Sequence, residues 1–480
     1  MQEEFMPTEL KETFNGITDG SLHKALWKLA IPSMISMIAA ILFEIADAYW
    51  IAHAYEDKTL NTATVAGFGA ASVLLWCLYS LFNMLSASTV AMISQSKGAK
   101  NPKSFAHWTL VSIILGAIVG IFILVAGKIV TPYALDFMDL KPLAWQSAKS
   151  YLDIIFFCAP LLTFTLVADS IFRGDGDAVR PMIVMILANV INATLDPFLI
   201  NGLWIFPKLG VAGAAWATFT AEIAAVTTFV ILFIRRKYKI KFYPKLKLFP
   251  SIYRLLKIGL PVTSIGLGFS IIYIFLTKII TKFGDAPLAA MTLGHRIEGL
   301  VYFLSFGIAS AVSTMVGQNV GARKFDRARK SFRISLNYTS LVSFLFATVF
   351  FFGAASIYKI YGQPENVVIE GIRYLMIMSV FEIFMGWEIV ASSAFSGVGN
   401  TMPTLLISLP LSILRIPLAY FLAIHMQMGV VGIWWAISVS TLFKGTILTY
   451  WWTRDRWVKY AIKNLKVIEA EKSQRIPIIN

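Results

Sequence analysis

Leu-Trp-Lys-Leu-Ala-Ile-Pro, residues 26–32, reappears as Leu-Leu-Lys-Ile-Gly-Leu-Pro at residues 255–261. Two further stretches repeat in the same order: Gln95–Lys100 with Gln318–Arg323, and Gly210–Trp216 with Gly429–Trp435. The three offsets lie between 219 and 229 residues. A chain made of two similar halves in the same order is typical of a membrane transporter whose two helical bundles rock against each other.

The composition supports a membrane location. Hydrophobic residues make up 57% of the chain and charged residues 14%, whereas soluble domains carry about 45–50% and about 25%. A soluble protein has no means of hiding so much apolar surface from water, so lipid must cover it.

Hydropathy divides the chain into twelve apolar segments, which are separated by Gly, Pro and charged residues. Each segment is long enough to cross a bilayer as a helix. Lipid offers no hydrogen bonds to the backbone, which favours helix throughout. We therefore predict an all-α membrane protein with two pseudo-symmetric six-helix bundles. The predicted segments are 24–53, 64–95, 105–130, 145–172, 179–203, 210–235, 253–282, 288–318, 328–358, 366–396, 402–424 and 429–453.

Basic loops orient this array. Lys and Arg residues cluster after the second, sixth, eighth and twelfth segments, which fall on one face if the helices alternate. The positive-inside rule makes that face and both termini cytoplasmic, and we expect a multi-pass protein of the plasma (inner) membrane. The net charge of +15 then reflects topology and contact with membrane lipid, not binding of nucleic acid. The predicted domains are an N-terminal segment 1–23, bundles 24–235 and 253–453, a basic linker 236–252 and a partly helical tail 454–480.

Three aspartates of the first half lie inside apolar segments. Asp47 is in the first, Asp169 in the fourth and Asp196 in the fifth. Charges in a bilayer core are costly, and each is therefore a candidate functional residue. The repeat places Leu276 opposite Asp47 and Ile416 opposite Asp196. The second half therefore lacks these acids, which indicates that any cation coupled to transport binds in the first bundle alone.

The fifth segment adds oxygen ligands to these acids. Asn192 and Asp196 are four residues apart and share a helix face. Pro197 lacks an N–H, so it frees a carbonyl one turn back, near Ala193, and we expect the helix to bend there. Such oxygens are suitable ligands for a small cation.

Other acidic residues inside the predicted membrane segments are weaker candidates for a functional role. Glu44 lies one turn from Asp47 and is a candidate cavity residue, as are Glu382 and Glu388 in the tenth segment. The latter two either attract a cationic substrate or pair with Arg415 or Arg296.

Signs of enzyme chemistry are missing from the sequence. The acidic stretch Gly174–Asp177 has neither a Walker lysine nor a preceding strand, and the five His residues lack zinc-binding spacing. We expect no cofactor, no enzymatic activity and no ATP-driven transport by this chain alone.

One stretch has a specific resemblance. Arg173–Pro181 (RGDGDAVRP) runs into Asn192–Pro197 (NATLDP) and then Gly210–Thr218 (GVAGAAWAT). With supporting matches at Leu29–Pro32 and Gly397–Asn400, the chain resembles the multidrug and toxic compound extrusion (MATE) family from about Lys24 to Arg456. It is most similar to the prokaryotic, archaeal-type branch, because 266–278 has no acid where another branch carries a Glu in the seventh helix.

The resemblance implies a cation-coupled efflux antiporter that exports organic, cationic compounds through a cavity between two bundles. By matching position, the H⁺ or Na⁺ site is Asp47, Asn192, Asp196 and Thr218. Asp169 stands where that branch often has Asn, so a third carboxylate is expected to add charge to the site. We expect a monomer.

Two rival functions remain open at this point. A lipid-linked sugar flippase of the same superfamily would show more helices, often fourteen, and a basic cavity that holds phosphate. A membrane-embedded enzyme would need a paired catalytic set, and the duplication argues against it.

Overall fold

The structure, a computed structural model, describes residues 16–55, 57–236, 238, 248–362 and 364–473. The first 15 residues, most of the predicted linker and the last seven residues lie outside this part. Each of the twelve predicted segments coincides with a helix. The first six are α1 Leu22–Ala52, α2 Lys58–Gly98, α3 Pro102–Phe137, α4 Pro142–Asp175, α5 Val179–Asn201 and α6 Val211–Arg235.

The second six follow in the same order. They are α7 Leu248–Ile280 with a 3₁₀ turn Thr281–Phe283, α8 Asp285–Gly321, α9 Phe325–Ile360, α10 Glu365–Val398, α11 and α12 Val430–Thr453. Here α11 comprises Met402–Ile413, Arg415–Tyr420 and the π-helical Phe421–His425. A thirteenth helix, α13, spans Arg456–Ser473 and is the helical part of the predicted tail.

The helices have the lengths and ends that a bilayer requires. Ten helices in the described ranges are both long and apolar enough to cross a membrane, and α2 and α10, at 41 and 34 residues, are long enough by length alone. Asp57 caps α2 through Thr59 N and Leu60 N, and Asn101 caps α3 through Ser104 N. Left-handed Gly176 and Gly399 end α4 and α10.

The two bundles, α1–α6 and α7–α12, meet through a symmetric pair of hydrogen bonds. Gln95 Nε2 of α2 donates to the carbonyl of Gly397 at 2.8 Å, and Gln318 Nε2 of α8 donates to the carbonyl of Gly174 at 2.9 Å. Both bonds are buried, and each is the other's copy under the 223-residue offset. This confirms the predicted fold of two pseudo-symmetric six-helix bundles.

These bonds lie where α2, α4, α8 and α10 finish, here called the basic end. The helices approach so closely there that only glycine fits. A Cβ on Gly98 would lie 1.9 Å from the Gln318 carbonyl oxygen, and one on Gly321 would lie 2.1 Å from that of Gln95. Real atoms do not approach so closely, so the two glycines determine how tightly the bundles close at this end.

A buried charge network supports the α4–α5 corner at the basic end. Asp175 accepts from Lys97 at 2.5 Å, from the Tyr238 hydroxyl at 2.7 Å and from Arg236 at 3.2 Å. Arg236 also reaches Asp177 at 2.8 Å. The acidic turn Gly174–Asp177 is therefore a structural anchor for α2 and α6.

Both terminal segments lie across the basic end. Arg327 of α9 donates to the carbonyls of Ile17 and Gly20 at 2.9 and 2.8 Å. At the other terminus, Asn101 of the first bundle donates to the Ile468 carbonyl of α13 at 2.8 Å. Asn464 of α13 donates to the Val398 carbonyl of the second bundle at 3.1 Å. The helix α13 therefore bridges the two bundles.

The close approach of α2 and α8 gives a direct test. Gly98→Ala places a methyl group against the Gln318 carbonyl, so we expect a loss of about 1–3 kcal/mol from overpacking, measured as a lower Tm of the purified protein in detergent. Gly69→Ala on the same helix is the matched control, because nothing lies within 4 Å of its Cβ. An equal Tm for the two variants would contradict the proposed closure.

Candidate acidic site of the first bundle

Two buried carboxylates face each other between α1 and α5. Asp47 is 4% exposed and Asp196 is fully buried, and the two side chains lie within electrostatic range of each other. Asp47 Oδ1 and both oxygens of Asp196 have no hydrogen-bond partner in the described part of the chain. Two carboxylates so close together need a proton or a cation between them, because like charges repel strongly away from water.

Beside them, Asn192 is oriented by Thr218 of α6. Asn192 Nδ2 donates to Thr218 Oγ1 at 3.0 Å, and Thr218 Oγ1 donates to the Ala214 carbonyl at 3.1 Å. Asn192 Oδ1 is buried and has no partner among the described residues. The amide therefore keeps one buried oxygen without a donor, and the hydroxyl of Thr218 holds the amide in place.

Helix α5 supplies two of these groups on one face. Asn192 and Asp196 are both buried, one turn apart, and α5 packs against α1 on one side and α6 on the other. The helix continues through Pro197 to Asn201. Since Pro197 has no N–H to donate, the Ala193 carbonyl lacks its usual helical partner.

Two further acids lie in the first bundle, one on α1 and one on α6. Glu44, one turn before Asp47 on α1, is exposed. Glu222 of α6 is 8% exposed, lies close to Thr165 of α4 and has a buried, unpartnered Oε2 atom. The sequence analysis missed Glu222, although an acid four residues after Thr218 inside an apolar segment was the signal that should have identified it.

The structure does not bring Asp169 into this group. Its Oδ2 accepts from Arg173 Nε at 2.7 Å, one turn along α4, and both side chains are largely buried. Arg173 also donates to the Ser33 hydroxyl of α1. Arg173 therefore compensates the charge of Asp169, and these contacts help to stabilise the basic end.

In the second bundle Glu388 is paired, which was one of the two alternatives left open, but its partner is neither Arg415 nor Arg296. Glu388 pairs with Lys444 of α12 at 2.8 Å and accepts from Ser408 at 2.7 Å. Arg415 instead donates to Ser440 and Thr441, at 2.5 and 2.9 Å. The sequence analysis missed Lys444, although a lysine inside an apolar segment was the signal that should have identified it.

Glu382 of α10 has a different environment from Glu388. It is 3% exposed, its Oε2 atom has no partner among the residues described, and Glu298 of α8 is within electrostatic range. Glu298 accepts from the Tyr374 hydroxyl at 2.9 Å. This second acidic pair has the carboxyl groups of the first but not its neighbouring amide.

The chemistry of the Asp47 group suits a monovalent cation or a proton. Nowhere in the described ranges do three or more His, Cys, Asp or Glu side chains come together as a metal-binding group. Two carboxylates, an amide oxygen and a freed carbonyl are hard oxygen donors, and one monovalent cation halves the negative charge of the carboxylates.

Comparison with known proteins bears on both halves of the chain. The MatE family model matches residues 32–198 and 261–421, so it matches the repeat twice. A probable multidrug resistance protein NorM from Thermotoga maritima is 26% identical over 448 residues, covering 92% of this chain and 94% of that protein.

Solved structures share the fold. A MOP superfamily transporter from Pyrococcus furiosus, described as having a binding pocket of reverse polarity that suggests a different function, has a TM-score of 0.83 at 22% identity. It covers 95% of this chain and 99% of its own. An outward-facing multidrug resistance MATE family transporter also has a TM-score of 0.83 at 22% identity, covering 97% and 100% of the two chains.

The contrast between Asp47 and Asp169 predicts opposite effects on stability. Asp47→Asn removes one of two facing carboxylates and should raise the Tm in detergent at neutral pH and low Na⁺. Asp169→Asn is the matched control: it leaves Arg173 without its buried partner and should cost about 3 kcal/mol. Tryptophan fluorescence during heating measures both. A similar drop in Tm for the two variants would show that Asp47 is compensated after all.

Proposed function

The chain belongs to the MatE family of multidrug efflux transporters, and from this premise we propose that it is a cation-coupled antiporter that exports organic cations by alternating access. The observation that carries the proposal is the buried, unpaired Asp47–Asp196 pair beside the free oxygen of Asn192. We propose that H⁺ or Na⁺ binds these oxygens, with Thr218 as the positioning residue for Asn192. The domain boundaries predicted from the sequence are part of this proposal.

The proposed cycle starts with the basic end closed, on the cytoplasmic side of the plasma membrane. The cation enters from the opposite side and halves the negative charge of the acidic pair. A pair with less charge needs less water, so the first bundle closes around it and expels the substrate. Opening of the basic end then releases the cation and admits new substrate.

The energy available suits efflux against a gradient. One elementary charge that crosses a potential of 100 mV contributes about 2.3 kcal/mol, which sustains roughly a 50-fold gradient of a neutral substrate. Exposed Glu44 and the buried acids nearby make the first bundle's wall negative, which favours cationic substrates. We favour efflux over lipid flipping because the relatives carry multidrug resistance names and these acids are unpaired.

Efflux from proteoliposomes tests the acidic pair. Asp47→Asn and Asp196→Asn should each reduce gradient-driven efflux of a fluorescent organic cation at least about 100-fold, because the ion loses a charged ligand. Asp153→Asn is the control, since Asp153 is half-exposed and paired with Lys149 on the surface of α4. Full antiport by both site variants would refute the proposal.

The identity of the ion is tested by removing neutral oxygen ligands. If Na⁺ is coupled, Asn192→Ala and Thr218→Ala should raise the Na⁺ concentration for half-maximal efflux about tenfold. If H⁺ is coupled, the same substitutions should shift the pH for half-maximal efflux by much less than the equivalent of a tenfold change in H⁺ concentration. Thr220→Ala is the control, because Thr220 makes the same backbone bond, to Trp216, but is exposed. No change with either gradient would exclude the amide from the site.

A further inference from the structure

A cavity at the basic end has the character of an anion site. It has a volume of about 390 Å³ and lies between α13 and the ends of α10, α11 and α12. Three exposed cations of α13 line it, Arg456, Lys459 and Lys463. Their spacing of three and four residues puts them on one helix face.

These cations are not used by the fold. Within the described residues, none of the three makes an ion pair with a carboxylate. The acids of the same segment are engaged elsewhere: Asp455 pairs with Arg329 at 2.8 Å, and Glu469 pairs with Arg323 at 2.7 Å. Three positive charges therefore converge on the cavity with their charge uncompensated.

The rest of the lining matches the edge of a bilayer. Trp451, at the end of membrane-spanning α12, and Tyr460 of α13 contribute aromatic walls, and such side chains prefer the headgroup level. Asn400 and Pro403 add the amino-terminal end of α11, whose dipole favours negative charge.

An apolar track leads from this cavity along the helices. Leu406 of α11, one turn beyond Met402, is 60% exposed, and Ile447 of α12, one turn before Trp451, is 38% exposed. An exposed apolar surface below a basic and aromatic cavity fits a molecule with a phosphate head and acyl chains. It fits a soluble anion less well, because that would leave the track unused.

We propose that this cavity binds the phosphate-bearing headgroup of an anionic membrane lipid, with Arg456, Lys459 and Lys463 contacting the phosphate and the acyl chains lying along α11 and α12. Basic cavities between membrane helices recognise anionic headgroups in this way. Because α13 also bonds to both bundles, the bound lipid would hold in place the helix that bridges them. The proposal concerns lipid binding alone and does not depend on the transported substrate or the coupled ion.

Native mass spectrometry of the delipidated full-length protein with added phosphatidylglycerol is the test. Lys459→Gln/Lys463→Gln should weaken binding about 25-fold, at about fivefold per charge. The matched control is Lys24→Gln/Lys330→Gln, which removes two exposed lysines of the basic end on other helices, outside the cavity; it should change binding less than about twofold. Equal Tm values in detergent confirm that both variants fold.

Three outcomes would overturn the assignment. Equal weakening in both variants would indicate diffuse attraction by the basic end, and unchanged binding in Lys459→Gln/Lys463→Gln would exclude the cavity. Soluble glycerol 3-phosphate that binds as tightly as phosphatidylglycerol would assign the site to a free phosphate ester. Phosphatidylcholine, which lacks net charge, should bind at least about tenfold more weakly than phosphatidylglycerol.

Discussion

A carboxylate buried in a membrane protein must be neutralised, and the fold meets this requirement in two ways. Some buried or largely buried acids have a fixed cationic partner: Asp175 has Lys97, and Glu388 has Lys444. The facing acids Asp47 and Asp196 have no such partner among the described residues. A fixed partner makes an acid structural, because its charge is the same in every state. An acid without one must take its neutralising charge from solution, and its state then depends on the gradients across the membrane.

The second constraint is the contact between the bundles at the basic end. Gln95 and Gln318 make equivalent bonds across the pseudo-twofold axis, and glycines let α2 and α8 touch. The contact consists of a few neutral hydrogen bonds and close helix packing. Such a contact is strong enough to define a closed state. It is also small enough to exchange for another state, because each neutral bond contributes only about 1 kcal/mol net.

The sequence alone predicted the fold almost completely, and the site in part. The internal repeat and the length of each apolar run determine the helices and which helix of one half corresponds to which of the other, because lipid leaves the backbone no alternative to helix. Asp47, Asn192 and Asp196 were identifiable because polar groups in apolar segments are rare. Partners distant in sequence were not: Lys444 lies 56 residues from Glu388, and hydropathy carries no information about which helix packs beside which. The bridging role of α13 also depends on packing, since a mixed-charge tail has the same composition whether it is docked or free.

One helix, α1, connects the acidic site of the first bundle with the contact between the two pseudo-symmetric bundles. Asp47 lies near one end of α1, and Ser33 and Met34 lie about 20 Å away along the same helix. Ser33 accepts a bond from Arg173, and Met34 packs where a Cβ on Gly307 of α8 would lie 2.5 Å from its Cγ. In the proposed cycle, neutralisation at Asp47 therefore changes the packing of a helix that also touches α8 of the second bundle at Gly307. A rigid helix that contacts both regions is sufficient to couple them. The ion site then needs to exist in only one bundle, because α1 carries its state to the interface that both bundles share.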